Sequence, residues 1–581
     1  NSLRELNRLE EARTSYAATL VREPRRSDAL NNMGLVLAGL GLHDEALTHY
    51  EAALAADPNN LGVLHNLANA LLELGSFEAA LSPCDRVLAT NPIHADALNT
   101  RGVVLAKLRR FPEALESYEA ALAVAPGRVD IEVNRGTALL ELDRHDEALA
   151  SFNSVLRADP ENTTALINRG NVFIRNKRFA DALGSIDKAL AINPDQAAAI
   201  SHRGVALAEL DRFDEALDAH EHALRIEPHV VAAHVNRGNA LLKLGRMQAA
   251  LASYAEALAM EPENAEANFN AAVTQLCAGD FREGWKKYEY RWKKKDFAKP
   301  GPEFSRRLWR GEKDLRGKTM FLRAEQGLGD TINFMRYAPL VTALGAKVIL
   351  GVQGPLKAIA WTVPGVAQVI SDGEPIPDFD LYCPLLSLPL AFETELATIP
   401  ADIPYVRPYE ERLAKWRARL PAQGRPRVGI CWAGSGAHLN DRHRSMPLDR
   451  FATLLSVPKL DFVSLQKEVD EAQAAILRDH GVVQLGQEFG DFADTAAVIA
   501  MLDLVIAVDT SVAHLAGAMG KAVALLVPFA PDWRWLLERT DSPWYPTMRL
   551  FRQSKIGDWG SPLDRLRQEL TAVANRPVKP R

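Results

Sequence analysis

Through the first half of the chain, apolar and small residues recur in a fixed pattern. Prolines stand at 24, 58, 92, 126, 160, 194, 228 and 262, every interval 34 residues. Within the block that starts at Ser27 the patterned positions are Leu30, Gly34, Leu37, Ala46, Tyr50 and Ala53, closed by Pro58. Apolar positions three, four and seven apart predict amphipathic helices. Two such helices fit each block. Small residues at Gly34, Ala46 and Ala53 allow close packing, and Pro ends the second helix. Seven full blocks run 27–60, 61–94, 95–128, 129–162, 163–196, 197–230 and 231–264. A partial block precedes them, and a degenerate one, 265 to about 296, lacks the closing Pro. Stacked units of this kind build an α-solenoid with a concave groove for partners.

The pattern then changes. Trp285-Lys-Lys-Tyr-Glu-Tyr-Arg-Trp292-Lys-Lys-Lys295 interleaves aromatic and basic residues. This reads as the last solenoid helix, its aromatics packed against the next domain, rather than as a base-stacking nucleic-acid surface. Lys299-Pro-Gly-Pro302 marks a boundary. Beyond it, short β-rich apolar runs predict strands at Thr319–Ala324, Lys347–Val352, Ala367–Ile370, Leu381–Cys383, Arg427–Trp432, Leu460–Leu465, Gly481–Leu485, Leu504–Val508 and Ala522–Val527. Helical patterns lie between them, for example Thr331–Leu344 and Val512–Met519, so the region reads as α/β with mostly parallel strands. Arg407–Pro426 reads as a connector between two Rossmann-like lobes, about 316–405 and 425–575. The expected domains are 1–296, 297–410 and 411–581.

Composition narrows the class. Of 581 residues, 47% are hydrophobic and 24% charged, the range of a globular protein. The balance of 68 basic and 74 acidic residues, net −6, argues against a nucleic-acid partner. No apolar run approaches the ~18 residues of a membrane helix. The chain opens Asn1-Ser-Leu-Arg without a signal-peptide pattern, and Cys84, Cys277, Cys383 and Cys431 form no C-x-x-C pair. Those features suit a reducing compartment, so a cytoplasmic location is expected.

Candidate chemistry sits in two places. Position six of successive blocks reads Asn32, Asn66, Thr100, Asn134, Asn168, His202, Asn236 and Asn270. Asn is a poor helix former with no evident packing reason to recur. An amide both donates and accepts, so such a row suits the backbone of an extended peptide. The alternatives are a habit of the repeat or a bond to the neighbouring repeat. The other place is the set of loops at strand ends, where α/β folds bind ligands. Glu325-Gln-Gly-Leu-Gly-Asp330 offers close backbone approach at Gly327 and Gly329, with Asp330 as a helix cap or a general base. Trp432 to Pro447 gathers Ser435, two His and two Arg, including Arg444, ahead of a helix, as a phosphate site would. Gln466 and Lys467 end a further strand, where a base or phosphate could be met. Asp509-Thr-Ser-Val-Ala-His514 turns a buried strand into a helix. Asp509 can cap it, Thr510 and Ser511 offer hydroxyls and free N–H groups, and His514 points back at the same anion. No D-x-D stands at a strand end, so no metal and no cofactor are expected.

The spacings of the first half resemble the tetratricopeptide (TPR) consensus, and its amide row resembles the asparagine ladder of the O-GlcNAc transferase superhelix, which holds acceptor polypeptides. In the second half, G-L-G-D paired with V-D-T-S-V-A-H-L-A-G-A resembles the heptosyltransferase-like glycosyltransferases. That resemblance implies a GT-B fold of two Rossmann-like lobes, with Asp330 as the base on an acceptor hydroxyl. It implies that Asp509, Thr510, Ser511 and His514 meet the donor's phosphates and nucleotide. Arg444, three places before Pro447, stands where that family commonly has Lys. The whole plan resembles bacterial TPR–glycosyltransferase fusions, which include flagellin glycosyltransferases. The expectation is an inverting glycosyltransferase that takes a sugar from a nucleotide-sugar substrate to Ser or Thr of a polypeptide in the TPR groove. The alternatives are a TPR scaffold with a degenerate nucleotide-binding half, and a saccharide- or lipid-directed transferase.

Overall fold

A computed structural model describes residues 8–295, 297, 301–305, 307–422, 424–436 and 441–574. The chain divides into two compact units that meet between His229 and Val230. In the first, the leading helix of each repeat starts at Ser27, Leu61, Ala95, Val129, Thr163 and Ala197. The second helix starts at His43, Phe77, Phe111, His145, Phe179 and Phe213. Each leading helix has 13 residues and each second helix 14, so the period of the sequence is the period of the fold.

The packing reason for the repeated glycine lies sixteen residues on. A Cβ at Gly34, Gly102 or Gly136 would stand 2.5–2.7 Å from the ring of Tyr50, Tyr118 or Phe152. Those rings are buried to 2% exposure or less. The glycine lets the aromatic of the second helix seat directly on the backbone of the first.

The second unit begins with two more helix pairs, Val231–Lys243 with Met247–Met260, and Ala265–Cys277 with Phe281–Tyr288. These repeats cluster with the α/β part because the last helix is aromatic. Trp285 lies edge-on to Trp533 with centroids 5.1 Å apart, and edge-on to Phe334 at 6.4 Å. Phe281 meets Trp544 at 6.3 Å. Trp285 and Tyr288 are buried, so they are core and offer no face to a nucleobase, while Lys294 reaches out to Glu266.

Two parallel sheets follow. The first contains β1 (Thr319–Arg323), β2 (Lys347–Val352), β3 (Val366–Ser371) and β4 (Leu381–Pro384), in the order β3-β2-β1-β4. The second contains β5 (Arg427–Cys431), β6 (Asp461–Ser464), β7 (Val483–Gln484), β8 (Leu504–Val508), β9 (Val523–Val527) and β10 (Met548–Arg552). Its order is β10-β9-β8-β5-β6-β7, which is the order of a doubly wound α/β sheet. The polar helix expected between the lobes is Glu410–Arg417, and Trp416 at its end is buried against Phe489. In each sheet the chain reverses direction beside its first strand, between β1 and β4 and between β5 and β8. Ligand crevices of such sheets open at these switch points, outside the carboxyl ends of the strands.

Candidate functional site

The loops after β1, β5, β6 and β8 open into one cavity of about 990 Å³. Gly329, Asp330, Ser435, Arg444, Gln466, Lys467, Asp509, Thr510, Ser511 and His514 all line it. The two switch points therefore face each other. A Cβ at Gly329 would stand 2.8 Å from the His514 ring and 3.6 Å from the Ser511 Cα, so the two loop-to-helix turns touch with no room for a side chain.

Asp330 is the third residue of the helix Leu328–Phe334. Its Oδ2 accepts the Gly327 N–H at 3.0 Å, a reach-back to the cap residue. Its Oδ1 accepts from Arg534, whose other terminal nitrogen donates to Asp532 at 3.0 Å. The Arg534 side chain is only 5% exposed and its guanidinium lies over Trp533, 4.2 Å from the ring centroid. Burial acts to lower this arginine, but the charges of Asp532 and Asp330 outweigh it and hold it above its ordinary value. Burial pushes the Asp532 carboxyl up, against the pull of Arg534.

On the other side of the contact, Thr510 takes the extended geometry of a cap residue ahead of the helix Ser511–Ala518. The expected Asp509 cap is not formed. The Asp509 carboxylate turns to His514 instead, with Oδ1 3.7 Å from Nε2. Burial raises the Asp509 carboxyl, yet the proximity of His514, with Trp535 and the Arg444 charge, prevails and leaves it below its ordinary value. His514 is 5% exposed, with Nδ1 3.0 Å from the Tyr545 hydroxyl and its ring stacked on Trp535 at 5.3 Å. The first N–H groups of this helix have no acceptor within it, and Thr510, Ser511 and Val512 at its start line the cavity.

Gln466 and Lys467 divide their duties. Gln466 is buried, and its Oε1 accepts from the Ala433 N–H at 3.2 Å and the Cys431 thiol at 3.4 Å. It ties the β5 loop to β6. Lys467 is exposed at the cavity edge and makes no hydrogen bond or ion pair among the described residues. Arg444 is 16% exposed and donates through Nε to Asp441 at 3.2 Å. Residues 437–440 of the same loop, including His438, lie outside the described residues.

Two features were not expected from sequence. Arg534 and Asp532 follow β9, on a fifth loop whose Asp532-Trp-Arg-Trp535 run carried the signal. The repeats themselves supply the apolar wall, through Leu242, Met247, Phe269, Val273 and Cys277.

The amide row also changes meaning. Asn66 and Asn134 donate to Asn31 and Asn99 at 2.9 and 3.1 Å. Asn168 donates to Thr137 at 3.2 Å, and Asn270 to Asn239 at 2.9 Å. Each acceptor belongs to the preceding repeat. The row has a packing reason to recur after all, since these bonds stitch neighbouring leading helices together. Asn236 makes no such bond among the described residues, and Asn32 is not free.

Comparison with known proteins agrees with the repeat geometry. The tetratricopeptide repeat family matches residues 1–60, 65–129, 133–197, 201–265 and 235–292. The N-terminal half is a TPR array. A curated relative, Protein FlbA of Caulobacter vibrioides, is 28% identical over 333 residues, 53% of this chain and 55% of FlbA. The chain thus spans about half the length of that relative. Among solved structures, a TPR protein from Parabacteroides merdae is 16% identical over 43% of this chain and 98% of its own, with TM-score 0.38. The APC/C hetero-tetramer Cut9-Hcn1 is 16% identical over 46% of this chain and 52% of its own, with TM-score 0.39. At such TM-scores these two likenesses add no argument to the repeat period itself. No described helix of the TPR array or the α/β part is long and apolar enough to cross a membrane.

Proposed function

We propose that the chain is an inverting glycosyltransferase of GT-B type, moving a sugar from a nucleotide-sugar to a Ser or Thr hydroxyl of a polypeptide held by the TPR groove. The observation that carries this reading is the convergence of strand-end loops from two parallel sheets on one cavity, of a size that suits a nucleotide-sugar. The donor would lie on the second lobe with its phosphate at the Ser511 helix start, where N–H groups and the helix dipole favour an anion. Arg444 and Lys467 add positive charge from neighbouring loops. The acceptor oxygen attacks the anomeric carbon as the bond from that carbon to the phosphate oxygen breaks. The hydroxyl proton passes to Asp330, and the nucleotide leaves with the bonding pair. Charge developing on the leaving phosphate is met by fixed donors, each typically worth ~3–4 kcal/mol in such a site.

The acceptor's class rests on the groove. An amide that donates once to the next repeat keeps its second N–H, and its carbonyl oxygen can still accept. Asn236 makes no hydrogen bond among the described residues and so keeps its bonding capacity for a ligand. The row can therefore serve both the repeat interface and a bound backbone.

Donor binding is tested by melting the full chain with UDP, ADP, GDP and CMP and with UDP-glucose, ADP-glucose, GDP-mannose and CMP-sialic acid. One nucleotide family should raise the melting temperature, since a ligand at 100 Kd stabilises by about 2.7 kcal/mol. Arg444→Ala should weaken that shift. No shift with any nucleotide or nucleotide-sugar would contradict the reading.

A further inference from the structure

The donor is assigned to the second lobe and Asp330 belongs to the first, so the reaction needs the two lobes in register. One ion pair spans them at the reacting position. Arg534, on the loop after β9, donates to Asp330 Oδ1, and its sequence partner lies 204 residues away. Everything around Arg534 restrains it. Its backbone N–H and one terminal nitrogen both bond to Asp532 Oδ1 at 3.0 Å. Trp533 and Phe334 lie 4.2 and 5.3 Å from the guanidinium carbon. Asp330 has its other oxygen held by the Gly327 N–H. Its carboxylate is thus fixed from both lobes at once.

We propose that Arg534 is the positioning residue of Asp330, setting the carboxylate on the first lobe relative to the donor seat on the second. The inference rests on the reading of Asp330 as the base. Proximity makes the function sensitive, because a reacting group displaced by about 1 Å loses roughly 10²-fold in rate. Arg534 touches neither the sugar nor the acceptor in this account. Its removal should lower kcat and spare donor affinity. Lys at this position keeps charge but not the two-pronged span between Asp532 and Asp330.

The test compares the full chain with Arg534→Ala, Arg534→Lys, Asp330→Asn and the double variant Arg534→Ala/Asp330→Asn. Nucleotide release from UDP-glucose, ADP-glucose, GDP-mannose and CMP-sialic acid gives turnover, and calorimetry with the same four gives affinity. Arg534→Ala should lose about 10²-fold in kcat with donor affinity within about twofold. Sub-denaturing guanidinium should restore at least part of that loss in Arg534→Ala and none in Asp330→Asn. Arg534→Lys should fall between. The double variant should be no slower than Asp330→Asn alone, because both changes act through one carboxylate. Weakened donor affinity with kcat intact would make Arg534 a donor ligand and overturn the proposal. Losses that multiply in the double variant, or absence of guanidinium rescue, would overturn it too. If Asp330→Asn turns over like the parent, or the parent releases no nucleotide from any of the four, the reading of Asp330 fails and takes this inference with it. If Asp330→Asn is inactive while Arg534→Ala is intact, only this inference falls.

Discussion

His220 occupies the place that Tyr50, Tyr118, Phe152 and Tyr254 hold in other repeats. It packs on Gly204, where a Cβ would stand 2.6 Å from its ring, and is 1% exposed. Burial pushes its imidazole down to about 4 from an ordinary 6.5. The unfolded chain therefore binds a proton that the folded chain does not, throughout the window between those two values. The stabilising contribution is complete above about pH 6.5 and is lost as pH falls toward 4, by an amount of order 2–3 kcal/mol. His220→Tyr should flatten that acid limb in urea unfolding monitored from pH 7 to pH 4; an unchanged acid limb would place the sensitivity in other groups. Burial also lowers His49, His65 and His202 in the same unit, so the difference between parent and variant is the informative quantity. At this scale the ten candidate cavity residues were legible because strand-end loops concentrate chemistry. Arg534 was missed because its run, Trp533-Arg-Trp535, reads as core, and all three residues are buried.

At the scale of elements, repeat packing is set by the glycine seat. Gly136→Ala places a methyl 2.7 Å from Phe152, a ring with 0% exposure and no room to yield. Such overpacking typically destabilises by about 1–3 kcal/mol. Thermal melting should show a clear drop, whereas Gly184→Ala, with nothing within 4 Å of the new Cβ and better helix propensity, should not. Equal behaviour of the two would remove the seat from the account. The repeat helices were legible because a 34-residue period averages out local ambiguity. Nine strands were legible as apolar runs, while β10 was not: Met548–Arg552 carries two arginines and lies at the sheet edge. The single helix expected over Thr331–Leu344 is broken at Met335–Tyr337, because Pro339 offers no N–H to the turn before it. For the amide row a bond to the neighbouring repeat stood beside peptide binding as an alternative, and the stacked helices form it. The row's bonds to the preceding repeat depend on stacking, which no single helix reveals.

For the whole molecule, the row of amides and the cavity make separable demands. Asn134→Ala and Asn168→Ala together should destabilise the array by about 0.5–1.5 kcal/mol per lost bond. Donor-induced stabilisation, which arises in the other unit, should persist. Asn236→Ala should spare stability and weaken only the capture of a polypeptide, measured by pull-down with a full-length acceptor; unimpaired capture would remove Asn236 from the peptide path. Under the proposed function, the TPR array and the cavity form one protein-modifying enzyme. This reading is tested most directly by intact mass of co-incubated polypeptide, with the panel nucleotide-sugars, for the parent and Asp330→Asn. The parent should add whole sugar masses to Ser or Thr. Asp330→Asn should bind the same donor but be slowed by roughly two to four orders of magnitude. Sugar addition by Asp330→Asn at the parent's rate, or transfer by the parent to lipid or glycan acceptors and never to polypeptide, would contradict the reading.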